Sequence, residues 1–302
     1  IEATEQKKSY TEIAPIIQYL IENGFRKNNR LIAIGGGVIQ DITAFISSIM
    51  FRGVDWILYP TTLLGQCDSC IGSKTSINFG KYKNQIGNFY SPKQIYIDVT
   101  FLKTLQNKDL ISGLGEMAHY YFVSSSEDMN YYKENYLKAL NNFNILEELI
   151  KRSLEIKKKY IEIDEFDENE RQIFNYGHSF GHAIESLTNY EIPHGVAVSI
   201  GMDISNFISV KYGYLSIDDR YFMRGILEEV WQGYSIQNIN IEDMEKALSK
   251  DKKNKGSLLG LILTRGAGKA FKVFKELDSD FSSWLSEYFD IEFEQSRSRD
   301  NV

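Results

Sequence analysis

The chain contains four histidines, and three of them fall between His178 and His194. His178 and His182 stand at i and i+4 of a helical pattern, so their imidazoles share one face within reach of a single ion. His194 follows in a predicted turn just after Pro193, and three neutral nitrogens can then converge on a metal. The first of the pair is not followed by glutamate, so the spacing is not that of a metalloprotease. Isolated histidines are more often core or surface residues than ligands. A catalytic zinc usually adds a carboxylate and keeps one position open for water or substrate. Glu116, in Gly115-Glu116-Met117-Ala118-His119, is a helical acid that can supply it. An open-site cation of this kind polarises a hydroxyl or a carbonyl. His119, the fourth histidine, lies one turn from Glu116 on the same face.

Cationic residues recur around these stretches. Lys74 follows Gly72-Ser73, Lys83-Asn84 comes next, Lys157 and Arg171 flank the histidine segment, and Asp251-Lys252-Lys253 comes late. On a chain of net charge -7, lysines set in glycine turns beside a candidate metal point to an anionic substrate, a phosphate or carboxylate. Any single one of them is more often a solvated lysine. Cys67-x-x-Cys70 cannot fill a tetrahedral zinc site by itself and has no thioredoxin-like surroundings, so neither a redox nor a metal role is expected of it.

A second chemical feature is the run Gly35-Gly36-Gly37 between an apolar stretch, Leu31 to Ile34, and a helical one, Val38 to Met50. Backbone N–H groups there can approach a phosphate closely, which suggests a nucleotide, although the spacing is not that of the dinucleotide fingerprint. Asp41 falls inside the following helix, where an acid is ordinarily a solvated surface residue. Thr61-Thr62, after Pro60, add hydroxyls at the end of the next strand.

The elements that must position these groups change character along the chain. Strand-like runs at Leu31 to Ile34, Val54 to Tyr59 and Gln94 to Ile97 alternate with helical periods, beginning with Tyr10 to Asn23. This is the pattern of an α/β layer structure with parallel strands. From about Leu105 the periodicity is helical: Leu110 to Val123, Met129 to Leu140, Ile145 to Ile163, Gln172 to Leu187 and Val196 to Tyr212, with a strand-like exception at Leu258 to Thr264. An α/β domain over 1–106 and a mainly α-helical domain over 107–302 are expected, with ligands in a cleft between them. A 43% hydrophobic and 25% charged composition is that of a folded globular chain. No apolar run reaches the roughly 18 residues of a membrane span. The net negative charge argues against sequence-independent nucleic-acid binding. Two cysteines are too few for a disulfide framework, and a cytoplasmic location is the natural expectation.

Taken together, these segments resemble 3-dehydroquinate synthase and the wider sugar-phosphate cyclase family. The matching stretches run from Ile34-Gly35-Gly36-Gly37-Val38-Ile39-Gln40-Asp41 through Phe51-Arg52-Gly53, Pro60-Thr61-Thr62, Asp68 to Thr75, Lys83-Asn84-Gln85-Ile86-Gly87, Glu116, Asp164-Glu165, Arg171 and Asn175 to Glu185, to His194-Gly195. The resemblance implies a Rossmann-like NAD-binding domain, a helical metal-binding domain, zinc (or cobalt in its place), and commonly a homodimer with Arg52 reaching the partner. Glu116, His178 and His194 would be the zinc ligands, and His182 would contact substrate phosphate, which revises the spacing argument for His182. Gly36, Gly37, Asp41, Thr61, Thr62 and Thr104 match cofactor-binding positions. Asp68, Lys74 and Lys83 match positions that border both cofactor and substrate, and Asn84, Lys157, Arg171, Asn175 and Lys252 match substrate-contacting ones. The implied reaction converts 3-deoxy-D-arabino-heptulosonate 7-phosphate to 3-dehydroquinate and phosphate, a step of the shikimate pathway.

The sequence also departs from the pattern. His119 stands where dehydroquinate synthases usually have lysine, Val196 replaces a glutamate, Ser73 a glycine, and Gln40 and Ala44 differ in the cofactor turn. Arg171, Lys157 and Asn175 favour an acid substrate. His119 leaves open a cyclase for another sugar phosphate, and a metal-dependent alcohol dehydrogenase is a more distant alternative. The chain opens on Ile1, and the strands that would begin the cofactor domain are expected to lie before it.

Overall fold

The computed structural model describes residues 1–80, 82–236 and 239–293, which form two compact units. The first comprises Ile1–Gln106 and Leu146–Phe166, the second Asn107–Ile145 and the chain from Asp167 onward. The segment Leu146–Phe166, read from sequence as part of the helical domain, therefore belongs to the N-terminal unit.

In the first unit, α1 (Tyr10–Glu22) precedes β1 (Leu31–Gly35), which turns directly into α2 (Gly37–Ile49). β2 (Trp56–Pro60) follows, then a hairpin of β3 (Ile77–Phe79) and β4 (Tyr82–Ile86), then the short β5 (Gln94–Ile95). β1, β2 and β5 form a parallel sheet in that order, with Leu31 opposite Trp56 and Gly35 opposite Pro60. One face is dry: Ala33, Trp56 and Leu58 pack with Ala44 of α2 and Cys70. The opposite face presents Ile32 and Ile34, each 60% exposed, and a stacked Tyr59–Tyr96 pair. Among the described residues no strand pairs with the outer edge of β1.

The second unit is built from α3 (Asn107–Ser124), α4 (Ser126–Ala139), α6 (His178–Leu187), α7 (His194–Lys211), α8 (Ile217–Trp231), α9 (Ile241–Ser249) and α10 (Ser279–Glu287), with the hairpin of β6 (Leu259–Thr264) and β7 (Ala270–Lys275). Between α4 and α6 runs α5 (Phe143–Ile163), most of which lies in the first unit. Ser125, Ser216, Asn240 and Asp278 cap α4, α8, α9 and α10 by accepting the N–H three residues on, which satisfies a donor that has no partner within the helix. α7 is buried all round from Gly195 to Ser209, the mark of a central helix. It packs against α3, α6, α8 and β6.

The expected helix Gln172 to Leu187 is interrupted. A 3-10 turn, Glu170–Asn175, ends before Tyr176, and Gly177 sits at φ 79° ahead of α6. A side chain on Gly177 would be strained there and would also collide with Met202 and with the Val198 carbonyl of α7. The break makes His178 the first residue of its helix.

Candidate functional site

Glu116, His178 and His194 come together within the helical unit. His178 Nε2 lies 3.4 Å from Glu116 Oε1, and His194 Nε2 lies 3.3 Å from Glu116 Oε2. The three offer ligand atoms close enough to hold one ion. Each arrives on a different element: Glu116 midway along α3, His178 at the start of α6 and His194 at the start of α7, where the sequence suggested a turn. The crossing of α3 and α7 sets the separation. A Cβ on Gly115 would strike the Gly195 carbonyl, and one on Gly195 would strike the Ser112 carbonyl, so only glycine permits this approach.

The electrostatics are those of a site prepared for a cation. Burial alone would raise the Glu116 carboxyl, but the facing His178 and His194 overcome it and hold it well below the usual carboxylate range. Burial would lower His194, yet Glu116 and Glu185 raise it well above the ordinary histidine value. Glu116 Oε2 is buried and accepts no hydrogen bond, a cost relieved by a metal. Two imidazoles and one carboxylate are a donor set that zinc and cobalt accept. The positive N-terminal ends of α6 and α7 open at the same place, which favours an anionic group beside the ion.

His182 stacks on His194 at 5.6 Å and faces His178 at 5.5 Å. Loss of hydration among the imidazoles, then the charges of His178, His194 and Lys253, hold it well below the ordinary value, although part of the ring is open to solvent. His119 is 1% exposed, against Tyr120 and Phe174, with Nδ1 3.8 Å from Glu116 Oε1. Arg171 is buried in the 3-10 turn, and Asn175 spends its amide on the Gln172 carbonyl. Lys252 is exposed, whereas Lys253, paired with Asp251 at 2.8 Å, is the lysine whose charge reaches His182.

In the α/β unit the glycine turn is as expected. α2 begins at Gly37 with no side-chain cap, and nothing lies within 4 Å of a Cβ built there. A Cβ on Gly36 would come 2.8 Å from Thr62 Cγ2, and Thr61 N–H donates to the Gly35 carbonyl, so both threonines border the turn. This is the carboxyl end of the parallel strands, where such sheets bind ligands. Gln40, a departure from the family pattern, exchanges hydrogen bonds with Ser69.

Asp41 is no solvated acid. Its carboxylate receives Lys8 Nζ at 3.0 Å, and the same ammonium donates to Asn84 Oδ1 at 2.8 Å. Burial pushes the Asp41 carboxyl up to about 6 against the opposing pull of Lys8. Lys8, 6% exposed, was missed by sequence reasoning. A lysine in a polar N-terminal run looks like any surface lysine, and only its distant partners reveal it. Asp68 and Lys157 meet in the same unit, Nζ donating to Oδ1 at 2.7 Å and to the Asp68 carbonyl at 2.6 Å. Lys74, Lys83 and Thr104 are exposed, Lys83 on β4 and Thr104 at the end of a 3-10 turn. Arg52 lies on a corner where Phe51 and Arg52 both have positive φ. Cys67 and Cys70 are buried and not joined in a disulfide, and burial pushes the Cys70 thiol up to about 12, so it stays protonated and inert.

The backbone carrying this glycine turn and this His–His–Glu group resembles solved structures. The backbone matches 2-deoxy-scyllo-inosose synthase complexed with carbaglucose-6-phosphate, NAD+ and Co2+ at a TM-score of 0.86, with 22% identity, over 96% of this chain and 81% of that one. It matches 2-epi-5-epi-valiolone synthase from Streptomyces hygroscopicus, with NAD+ and Zn2+ bound, at 0.86 and 24% identity, over 94% and 80%. At those identities the likeness shows the fold. In sequence, the 3-dehydroquinate synthase N-terminal family matches residues 1–112 and the 3-dehydroquinate synthase C-terminal family residues 113–254. The 3-dehydroquinate synthase of Alkaliphilus metalliredigens is 40% identical over 274 residues, 89% of this chain and 76% of that one. The chain belongs to the 3-dehydroquinate synthase family.

Proposed function

We propose that the chain is an NAD- and metal-dependent lyase that converts 3-deoxy-D-arabino-heptulosonate 7-phosphate to 3-dehydroquinate and phosphate. The observation that carries this reading is the Glu116–His178–His194 triad in a chain of this family. When bound, the zinc or cobalt ion would polarise a substrate hydroxyl, and NAD would take a hydride and return it, with no net redox change.

The chain's own residues supply the remainder. The uncapped start of α2 and the open space at Gly37 suit the dinucleotide pyrophosphate, with Gly36, Thr61 and Thr62 bordering it. Asp41, Asp68, Lys74, Lys83 and Thr104 are the further cofactor-side residues. His182, held neutral, can give one N–H to a phosphate oxygen, and Lys253 and Lys252 add positive charge. Arg171, Asn175, Lys157 and Asn84 are assigned to the acid sugar and its hydroxyls. A homodimer in a cytoplasmic setting completes the reading. Among the described residues no helix is long and apolar enough to cross a membrane.

The test is phosphate release from the seven-carbon acid phosphate with NAD and zinc. Turnover is expected, to be lost with a chelator and restored by zinc or cobalt. NADH accumulating in proportion to substrate, without phosphate release, would instead indicate an alcohol dehydrogenase. A second reading, a cyclase for a neutral sugar phosphate, is favoured by His119 alone: it is shorter than the usual lysine and is enclosed by Tyr120 and Phe174. Comparing both substrate classes on the native chain and on His119→Lys separates the two readings.

A further inference from the structure

Both ring nitrogens of His194 face carboxylates. Nε2 lies 3.3 Å from Glu116 Oε2, and on the opposite edge Nδ1 lies 3.0 Å from Glu185 Oε2. Glu185 is on α6, one turn after His182, with its side chain 15% exposed. α6 begins with His178, so one helix delivers a candidate ligand and also the group that backs another. We propose that Glu185 is a positioning residue of the metal centre: it accepts the Nδ1–H of His194 and so fixes the tautomer whose Nε2 lone pair faces the ion. This inference rests on the metal-dependent reading above and adds a residue which that reading does not use.

The first support is the direction of the bond. An imidazole that gives its Nδ1–H to a carboxylate has only Nε2 left to coordinate, and that nitrogen becomes more basic. The second is the parallel with His178, whose Nδ1 lies 3.2 Å from the Tyr176 carbonyl. Both candidate ligands therefore have an oxygen behind Nδ1, a backbone carbonyl in one case and a carboxylate in the other. The third is need. The His178 side chain is 12% exposed, but that of His194 is 31% exposed at the head of α7, so packing holds it less firmly. The bond to Glu185 supplies the missing restraint on ring rotation.

His182, Glu185 and His194 also have ligand atoms close enough to hold an ion among themselves. A second ion there would take Nδ1 of His194 and displace the proton that Glu185 accepts. The hydrogen bond and a second ion thus exclude each other, and the stoichiometry of binding tells them apart.

The experiment titrates metal-free protein with Co2+, follows the visible absorption, and measures affinity by competition with a chelator. Native protein, Glu185→Gln and Glu185→Ala are compared, with the unfolding midpoint of each metal-free form. The expected result is one ion per chain in the native protein. Glu185→Ala should bind about 10- to 100-fold more weakly with an altered absorption band. Glu185→Gln keeps an acceptor oxygen and should recover most of the loss at an unchanged midpoint. Three results overturn the proposal: Glu185→Ala binding within about twofold of native with the same band; equal losses in both variants with a matching fall in the metal-free midpoint, which would make Glu185 a packing residue; or a second ion in the native protein that Glu185→Ala lacks. A native protein that binds no Co2+ overturns the metal-dependent reading and this inference together, whereas the other three leave that reading standing.

Discussion

Asp41 shows how a residue beside the glycine turn is tuned. Its folded-state carboxyl, pushed up to about 6 by burial, lies above the unfolded value near 3.9. The protonated form is thus favoured by folding, so its contribution to stability is greatest below pH 4, falls as pH rises to about 6, and is level beyond. Asp41→Asn removes that dependence. The melting temperature of the native chain minus that of the variant should fall between pH 4 and 6 and then flatten; a flat difference over that window would show that Lys8 compensates fully. The helical spacing of scarce histidines pointed to His178 and His182, and the candidate triad Glu116, His178 and His194 was legible only through the family resemblance. Lys8 and Glu185 were not, since each acquires its meaning from residues remote in sequence. Glu185 did carry a signal, standing at i+3 from His182.

The helices converge because two glycines let α3 and α7 approach, and this predicts what an added methyl does. Gly195→Ala places a Cβ against the Ser112 carbonyl and must push the helices apart. A destabilisation of about 1–3 kcal/mol is expected from overpacking. Co2+ affinity should fall with it, because Glu116 and His194 ride on the separated helices; unchanged affinity would place the coordination elsewhere. Most of the element order was visible in hydrophobic period: β1, α2, β2, α3, α4, α5 and α7 lie where expected. The break at Gly177 was hidden by the apolar period on either side, and one glycine does not end a helix reliably. α8 and α9 passed unread because each spreads charges along a weakly apolar sequence. Their starts are set by the Ser216 and Asn240 caps.

Within the helical unit, α7 is anchored beyond its His194 end by Asp203, which is fully buried. Its Oδ2 accepts from Arg224 at 2.9 Å, from Arg220 at 3.3 Å and from the Tyr288 hydroxyl at 2.8 Å. Arg220 also pairs with Glu292 at 2.7 Å, so the last described turn is tied to the central helix through two arginines. Asp203→Ala leaves both arginines short of a partner and should cost about 3–5 kcal/mol, read from denaturant unfolding. A loss under about 1 kcal/mol would mean that Glu292 suffices.

The α/β unit offers no such closure on one side. Ile32 and Ile34 project from a β-strand that, among the described residues, has a partner along one edge only, and Tyr59 and Tyr96 extend the same apolar surface. Such an edge can template pairing between chains. In a preparation of this chain, then, clouding on warming should rise steeply with protein concentration and precede any loss of helical signal. Ile32→Thr with Ile34→Thr should delay it without weakening Co2+ binding. The colloidal lifetime of the chain would accordingly be set by a strand that supplies none of the metal ligands.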